Sequence, residues 1–336
     1  MPRKTYRLKI TSPELWQDVN PENKKLAKQF LKEKNTRSSD TTIKSYKSDL
    51  EIFFTWNLLY NNNLFFIDIK KLQFAEFFSF ATTDLQWGSS RFGRMRSVLS
   101  SLSIFIERFL DDEYPLFKNL ILKTIEGMPK VPRREKTVLS EEQVEDIFIY
   151  LEEQKEHQII CWLALAVSSG SRFAELLRFT TDIIDEDNMA FNDIFLETTK
   201  PIKSKGRTKQ GKMSYKYIIK DVFWQRYQDW LEVRKKMLNG HGHNYLFIKK
   251  DGSPAQDSTV RGWVRKIEGC LDVPFYPHCL RNYIVTYLSR IGLPYNLIKE
   301  IFDWESIEMV QVYDNLTAKD RNWDELDEFK KILDQK

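Results

Sequence analysis

The sequence predicts a mainly α-helical chain with a small β-sheet, organised as a helical N-terminal domain followed by an α+β domain. Three observations predict it. Apolar residues at 43, 46, 50, 53 and 54 recur at helical spacing early in the chain. The stretch Met128-Pro129-Lys130-Val131-Pro132-Arg133-Arg134-Glu135-Lys136 is basic and holds two prolines within four residues, which forbids a regular helix and reads as an extended linker. A strand-rich basic segment, Phe191 to Ile219, then lies between helical patterns in the second half.

Taken in order, residues 1–20 read as a short extended arm. The helix over Thr41 to Trp56 follows, with Asp40 or Thr41 as its cap. A second helix starts after Ser89-Ser90, and Met95, Val98, Leu99, Leu102, Phe105, Ile106 and Phe109 make its buried side. Its first turns carry Arg91, Arg94 and Arg96, with no carboxylate between Asp84 and Glu107. Arg91 and Arg94 are one turn apart and reach toward the same place. Arg96 points elsewhere, because it sits about 140° round the helix from Arg91. Such a cluster suits a phosphate backbone. Beyond the linker, Leu139-Ser140-Glu141-Glu142-Gln143 is a capping pattern that opens the second domain.

Composition narrows the function classes. With 42% hydrophobic and 30% charged residues the chain is too apolar for disorder and too charged for a membrane protein. No run of about 18 apolar residues exists, and the start, Met1-Pro2-Arg3-Lys4, lacks a signal-peptide core, so a cytoplasmic protein is expected. Cys161, Cys270 and Cys279 are too few and scattered for a disulfide framework or a zinc site, and Cys161 reads as core. The pair His241 and His243 lacks a third ligand in sequence and reads as a solvated turn. Net charge is only +4, but eight Lys/Arg and no carboxylate lie between Lys200 and Lys220. Such a block is an electrostatic footprint for phosphate.

Four short segments carry the chemistry. In Ser168-Ser169-Gly170-Ser171-Arg172-Phe173-Ala174-Glu175-Leu176-Leu177, a glycine turn before a helix start sets Arg172 and Glu175 one turn apart. A guanidinium at a helix N-terminus suits a phosphate, and Glu175 can hold it in position. The basic hairpin Lys205-Gly206-Arg207-Thr208-Lys209-Gln210-Gly211-Lys212 offers a lysine able to protonate a leaving oxygen. In Tyr276-Pro277-His278-Cys279-Leu280-Arg281, proline in the first turn leaves His278 and Arg281 on one face. The last segment is Phe302-Asp303-Trp304, then Val312-Tyr313-Asp314. Singly each is weak, whereas their joint order over about 140 residues is specific.

In that order and spacing the second half resembles the catalytic domain of the tyrosine recombinase (phage integrase) family, and the first half resembles the family's helical core-binding domain. The family signature is Arg in a T/S-G-x-R-x-x-E-L box, a hairpin Lys, H-x-x-R, His or Trp, and Tyr nine residues later. It falls here on Arg172, a hairpin lysine, His278, Arg281, Trp304 and Tyr313. Lys209 is the favoured lysine, with Lys212 and Lys205 as alternatives. The usual Leu-Gly-His reads Phe302-Asp303-Trp304, so aspartate stands where the family commonly has glycine.

The resemblance implies a DNA-clamping domain over 21–127, a linker over 128–137, a catalytic domain over 138–317 and a tail helix over 318–336, packed on its own domain or on a neighbour. It implies a site-specific recombinase acting without metal, ATP or cofactor, as an oligomer, expected to be a tetramer, on duplex DNA carrying specific sites. Tyr313 would form a 3′-phosphotyrosyl bond and free a 5′-hydroxyl. An ordinary phenol ionises near pH ~10, so the two arginines must lower that cost and neutralise the transition state. Lys209 would protonate the leaving oxygen, His278 would exchange protons near the phenol, Trp304 would donate one hydrogen bond, and Glu175 would orient Arg172. Arg91, Arg94, Arg96, Lys205, Arg207 and Lys212 would contact DNA. A catalytically silent DNA-binding relative and a type IB topoisomerase-like enzyme are the alternatives.

Overall fold

A computed structural model describes residues 9–129, 137–204 and 211–314. Within these limits the chain forms two compact units, divided between residues 129 and 137.

The first unit is helical: α1 (Pro13–Asp18), α2 (Pro21–Lys34), α3 (Asp40–Tyr60), α4 (Lys71–Thr83), α5 (Ser89–Phe109) and the short α6 (Ile121–Thr124). The expected extended arm is helical over Pro13–Asp18, because Ser12 Oγ accepts from Leu15 N at 3.2 Å and Pro13 presets the first turn. The cap of α3 is Ser39, one residue before the expected pair, with its Oγ accepting from Thr42 N at 3.3 Å. The predicted face of α3 turns inward through Leu50, Phe53 and Phe54. Phe53 is the hub of an aromatic core, meeting Phe77 edge-on at 4.9 Å and lying parallel to Phe74 at 5.8 Å. The buried side of α5 matches expectation from Met95 to Ile106, but Phe109 in its last turn is exposed.

The second unit surrounds a helix that is buried on every side. After α7 (Glu141–Glu153) comes α8 (His157–Ser169), where Ile159 to Ser169 are all buried. Helices α7, α10 (Lys220–Met237) and α12 (Pro277–Arg290) pack around it. A helix apolar all round is stable only in such a centre. Ser140 caps α7 through a reciprocal box with Gln143, as its sequence predicts. Cys161 is buried in this core, where desolvation pushes its thiol well up.

The strand-rich segment forms β1 (Met189–Ala190), β2 (Phe195–Glu197), β3 (Ile202–Ser204), β4 (Lys212–Ser214) and β5 (Tyr217–Ile219). Strands β1, β2 and β5 make one antiparallel sheet, and β3 pairs with β4 so that Ser204 faces Lys212. The remaining helices are α9 (Phe173–Leu176), α11 (Asp257–Glu268), α13 (Tyr295–Ile301) and α14 (Ile307–Tyr313). His241 and His243 each set one ring nitrogen against a backbone carbonyl, of Asp251 and Gly252, which is a turn contact. The tail from 318, and Lys205, Arg207 and Lys209 of the hairpin, lie outside the described residues.

Candidate active site

The turn after α8 is set by a steric constraint. Gly170 closes the helix at φ +54°, and a Cβ there would stand 2.7 Å from Phe302 Cε1. Only glycine fits both the backbone and the ring. The chain therefore reverses tightly and delivers Ser171 and Arg172 beside the segment that carries Trp304.

Arg172 is the N-cap of α9, which has only four residues. The helix start expected to donate to phosphate is short, and its first backbone donor has a partner. The Arg172 N–H donates to Glu175 Oε2 at 3.2 Å, so that donor is already used. The guanidinium Nη1 donates to Glu175 Oε1 at 3.1 Å, as the one-turn spacing predicts. Its side chain keeps 30% exposure, enough to meet a ligand.

Glu175 has a second cation that sequence reasoning missed. Lys216 Nζ donates to Glu175 Oε2 at 3.1 Å, and both side chains are buried. Burial opposes the carboxylate's charge, but Lys216 and Arg172 overcome it and hold Glu175 below the usual carboxylate range. Burial likewise lowers Lys216, offset in part by Glu175. A signal was present in the alternation. Ser214, Lys216 and Ile218 point inward while Met213 and Tyr215 are exposed, so period two aims the lysine at the core.

Arg281 lies on α12 and is almost fully buried. Its Nη1 donates to the carbonyl of Gly170, which ties α12 to the Arg172 turn. The guanidinium sits 4.4 Å from the Trp304 ring centroid and 5.0 Å from that of Tyr313. Burial, and then the nearby charge of Arg172, lower it to about 10, against the favourable influence of the Tyr313 hydroxyl. Its Nε and Nη2 are buried without a well-aligned protein acceptor, and so is Nε1 of Trp304. Three buried donors without a well-aligned acceptor are costly unless a ligand accepts from them.

Tyr313 closes α14 and is buried. Its ring lies 4.9 Å from Trp304 and 5.2 Å from His278, which is exposed at the start of α12. Thr286 Oγ1 donates to the Tyr313 carbonyl at 3.3 Å. Thus Arg172, Glu175, His278, Arg281, Trp304 and Tyr313 meet in one place, although they span three helices, α9, α12 and α14, and the turn before α14. Lys212, on β4, pairs with Asp303 at 2.6 Å. Lys209 falls outside the described residues.

The N-terminal arginines are engaged within their own unit. Arg91 and Arg94 do reach one point, but that point is the buried Asp49, at 2.6 and 2.9 Å. Arg96 donates to the carbonyls of Ile125 and Leu122, and its guanidinium is spent on the chain.

Residues 137–320 match the phage integrase family, which covers more than half of the chain. The chain belongs to that family and is a tyrosine-type site-specific recombinase. It is 26% identical to the SPbeta prophage-derived recombinase-like protein YomM of Bacillus subtilis, over 86% of this chain and 85% of that one. It is also 26% identical to transposase B from transposon Tn554 of Staphylococcus aureus, over 65% of this chain but only 33% of that longer protein. In fold it is similar to the Tn1549 transposon integrase in complex with circular intermediate DNA, with TM-score 0.63 and 15% identity over 91% of this chain and 98% of that one. A lambda integrase tetramer bound to a Holliday junction gives TM-score 0.61 and 17% identity over 89% and 78%.

Proposed function

We propose that the protein binds duplex DNA at specific sites and exchanges strands through a 3′-phosphotyrosyl bond at Tyr313. The observation that carries this reading is Arg281. Its Nε and Nη2, which have no well-aligned protein acceptor, and the indole N–H of Trp304 are buried donors beside the phenol ring. A scissile phosphate satisfies all three.

In this reading Arg172 and Arg281 hold the non-bridging oxygens and neutralise the charge of the pentacoordinate transition state. The Tyr313 oxygen attacks phosphorus and its proton passes to His278. The bond to O5′ breaks, and a lysine ammonium protonates the departing oxygen. The energy of the broken bond is kept in the ester, so rejoining requires neither ATP nor a metal ion. Lys209 is the lysine favoured by sequence. Among the described lysines of the hairpin we assign the role to Lys212, because Asp303 ties it next to Trp304. Glu175 and Lys216 orient Arg172. Arg91 and Arg94 keep 28% and 42% side-chain exposure while bound to Asp49, which suits a backbone contact, whereas Arg96 is left out. Lys205 and Arg207 join them as proposed DNA contacts. Assembly of several copies on DNA in the cytoplasm is part of the same reading. A tetrameric assembly is supported by the likeness to the lambda tetramer.

The test is a nicked suicide substrate that traps the covalent adduct. Tyr313→Phe should bind DNA as the unmutated protein does and give no adduct. An adduct formed by that variant would refute the role of Tyr313, and the absence of any adduct from the unmutated protein would favour a DNA-binding protein without catalysis. Relaxation of plasmids lacking specific sites would favour the topoisomerase reading.

A further inference from the structure

Asp303 occupies a backbone position that favours glycine. Helix α13 ends in a turn where Asp303 N donates to Glu300 O at 3.0 Å and Trp304 N donates to Lys299 O at 2.9 Å. This double bond pattern is the left-handed helix stop, and Asp303 takes its φ of +50°. Glycine adopts that conformation freely, while an L side chain is strained in it. The gain that offsets the strain is the carboxylate itself, whose Oδ1 lies 2.6 Å from Lys212 Nζ.

The pair joins two parts of the chain 91 residues apart. Lys212 begins β4, and Asp303 immediately precedes Trp304, whose indole N–H is one of the unpaired donors. The partner strand is fastened as well, since Arg178, just past α9, donates to the carbonyl of Lys203 on β3. One strand of the hairpin is thus tied to the segment after Arg172 and the other to the segment before Trp304. Gly211, beside Lys212, admits no side chain, because a Cβ would stand 2.7 Å from Ser204 O. The base of the hairpin is held at a fixed distance from the phosphate donors.

We propose that Asp303 is a positioning residue for strand cleavage: it fixes Lys212 so that the ammonium meets the leaving 5′ oxygen. This rests on the assignment of Lys212 as the proton donor. The phenol oxygen bonds to phosphorus as its proton passes to His278, the P–O5′ pair goes to O5′, and O5′ takes one proton from Lys212. Asp303 makes no bond to substrate. It keeps the ammonium in place.

The experiment compares two suicide substrates, one ordinary and one with sulfur as the 5′ bridging atom. A thiolate leaves without a proton, so the second substrate bypasses a general acid. Asp303→Asn keeps size and tolerates the left-handed turn, and only the charge is lost. It should slow adduct formation on the oxygen substrate roughly a hundredfold, the loss typical of a misplaced catalytic group. On the sulfur substrate its rate should equal that of the unmutated protein, with DNA affinity unchanged or higher, since one anion is gone. Asp303→Gly, which also relieves the turn, should behave alike. Equal slowing on both substrates would mean a general distortion and overturn the proposal, as would no slowing on either. Lys212→Met should show the same oxygen-specific loss. If it does not while Tyr313 still forms adduct, the assignment of the lysine fails, and the role of Asp303 with it. If the unmutated protein forms no adduct on either substrate, the catalytic reading itself fails.

Discussion

The guanidinium of Arg281 lies 4.4 Å from the indole of Trp304, and its Nε and Nη2, like the indole Nε1, are buried without a well-aligned protein acceptor, the nearby Tyr313 hydroxyl being the group that interacts with the arginine. Stacking fixes the arginine's plane, and the Gly170 carbonyl fixes its rotation through Nη1. Both are donors and neither bonds the other, so their remaining N–H groups stay buried beside the Tyr313 ring.

Removing only the indole N–H tests that arrangement. Trp304→Phe retains an aromatic face for Arg281 but loses the donor. Adduct formation should fall about a hundredfold, the usual loss for one transition-state hydrogen bond. Single-turnover cleavage measures it. A rate equal to that of the unmutated protein would remove Trp304 from the chemistry.

The Glu175–Lys216 pair is predicted to couple stability to pH. The folded state holds Glu175 below its ordinary value of 4.5, so the stabilisation it gives is present above that pH and is lost as pH falls through the folded value. The stability difference between the unmutated protein and Glu175→Gln should therefore shrink below pH 4.5 in urea melts. Lys216→Met leaves a buried carboxylate with one partner and should cost about 3–5 kcal/mol. The double variant should recover part of that loss, as a direct pair requires. Additive losses would exclude direct coupling.

Gly170→Ala tests the turn that delivers Arg172. Its φ of +54° and the 2.7 Å approach to Phe302 leave no room for a methyl. The backbone term alone should cost roughly 1–2 kcal/mol. Cleavage should fall further than stability explains, because Arg172 and the Arg281 acceptor move together. Thermal unfolding beside single-turnover rates separates the two effects.

The sequence by itself determined the outline of the fold and which residues are proposed as the reactive groups. Spacings of three residues along a helix fix which side chains share a face, so Arg172 with Glu175, and His278 with Arg281, were legible locally. The inward face of α5 and the serine box at α7 followed for the same reason. Tertiary structure alone decided what those groups meet. Lys216 looked like one more cation in a basic run, and only the strand's register against Glu175 makes it a buried partner. Asp303 looked like a departure from a glycine, and only the approach of β4 gives its carboxylate an occupant. Arg91 and Arg94 looked free for phosphate, and the fold first supplies them with Asp49. Periodicity encodes direction within one element. The partner across a gap of 40 or 90 residues is set by how apolar faces pack, and that packing is a property of the whole chain.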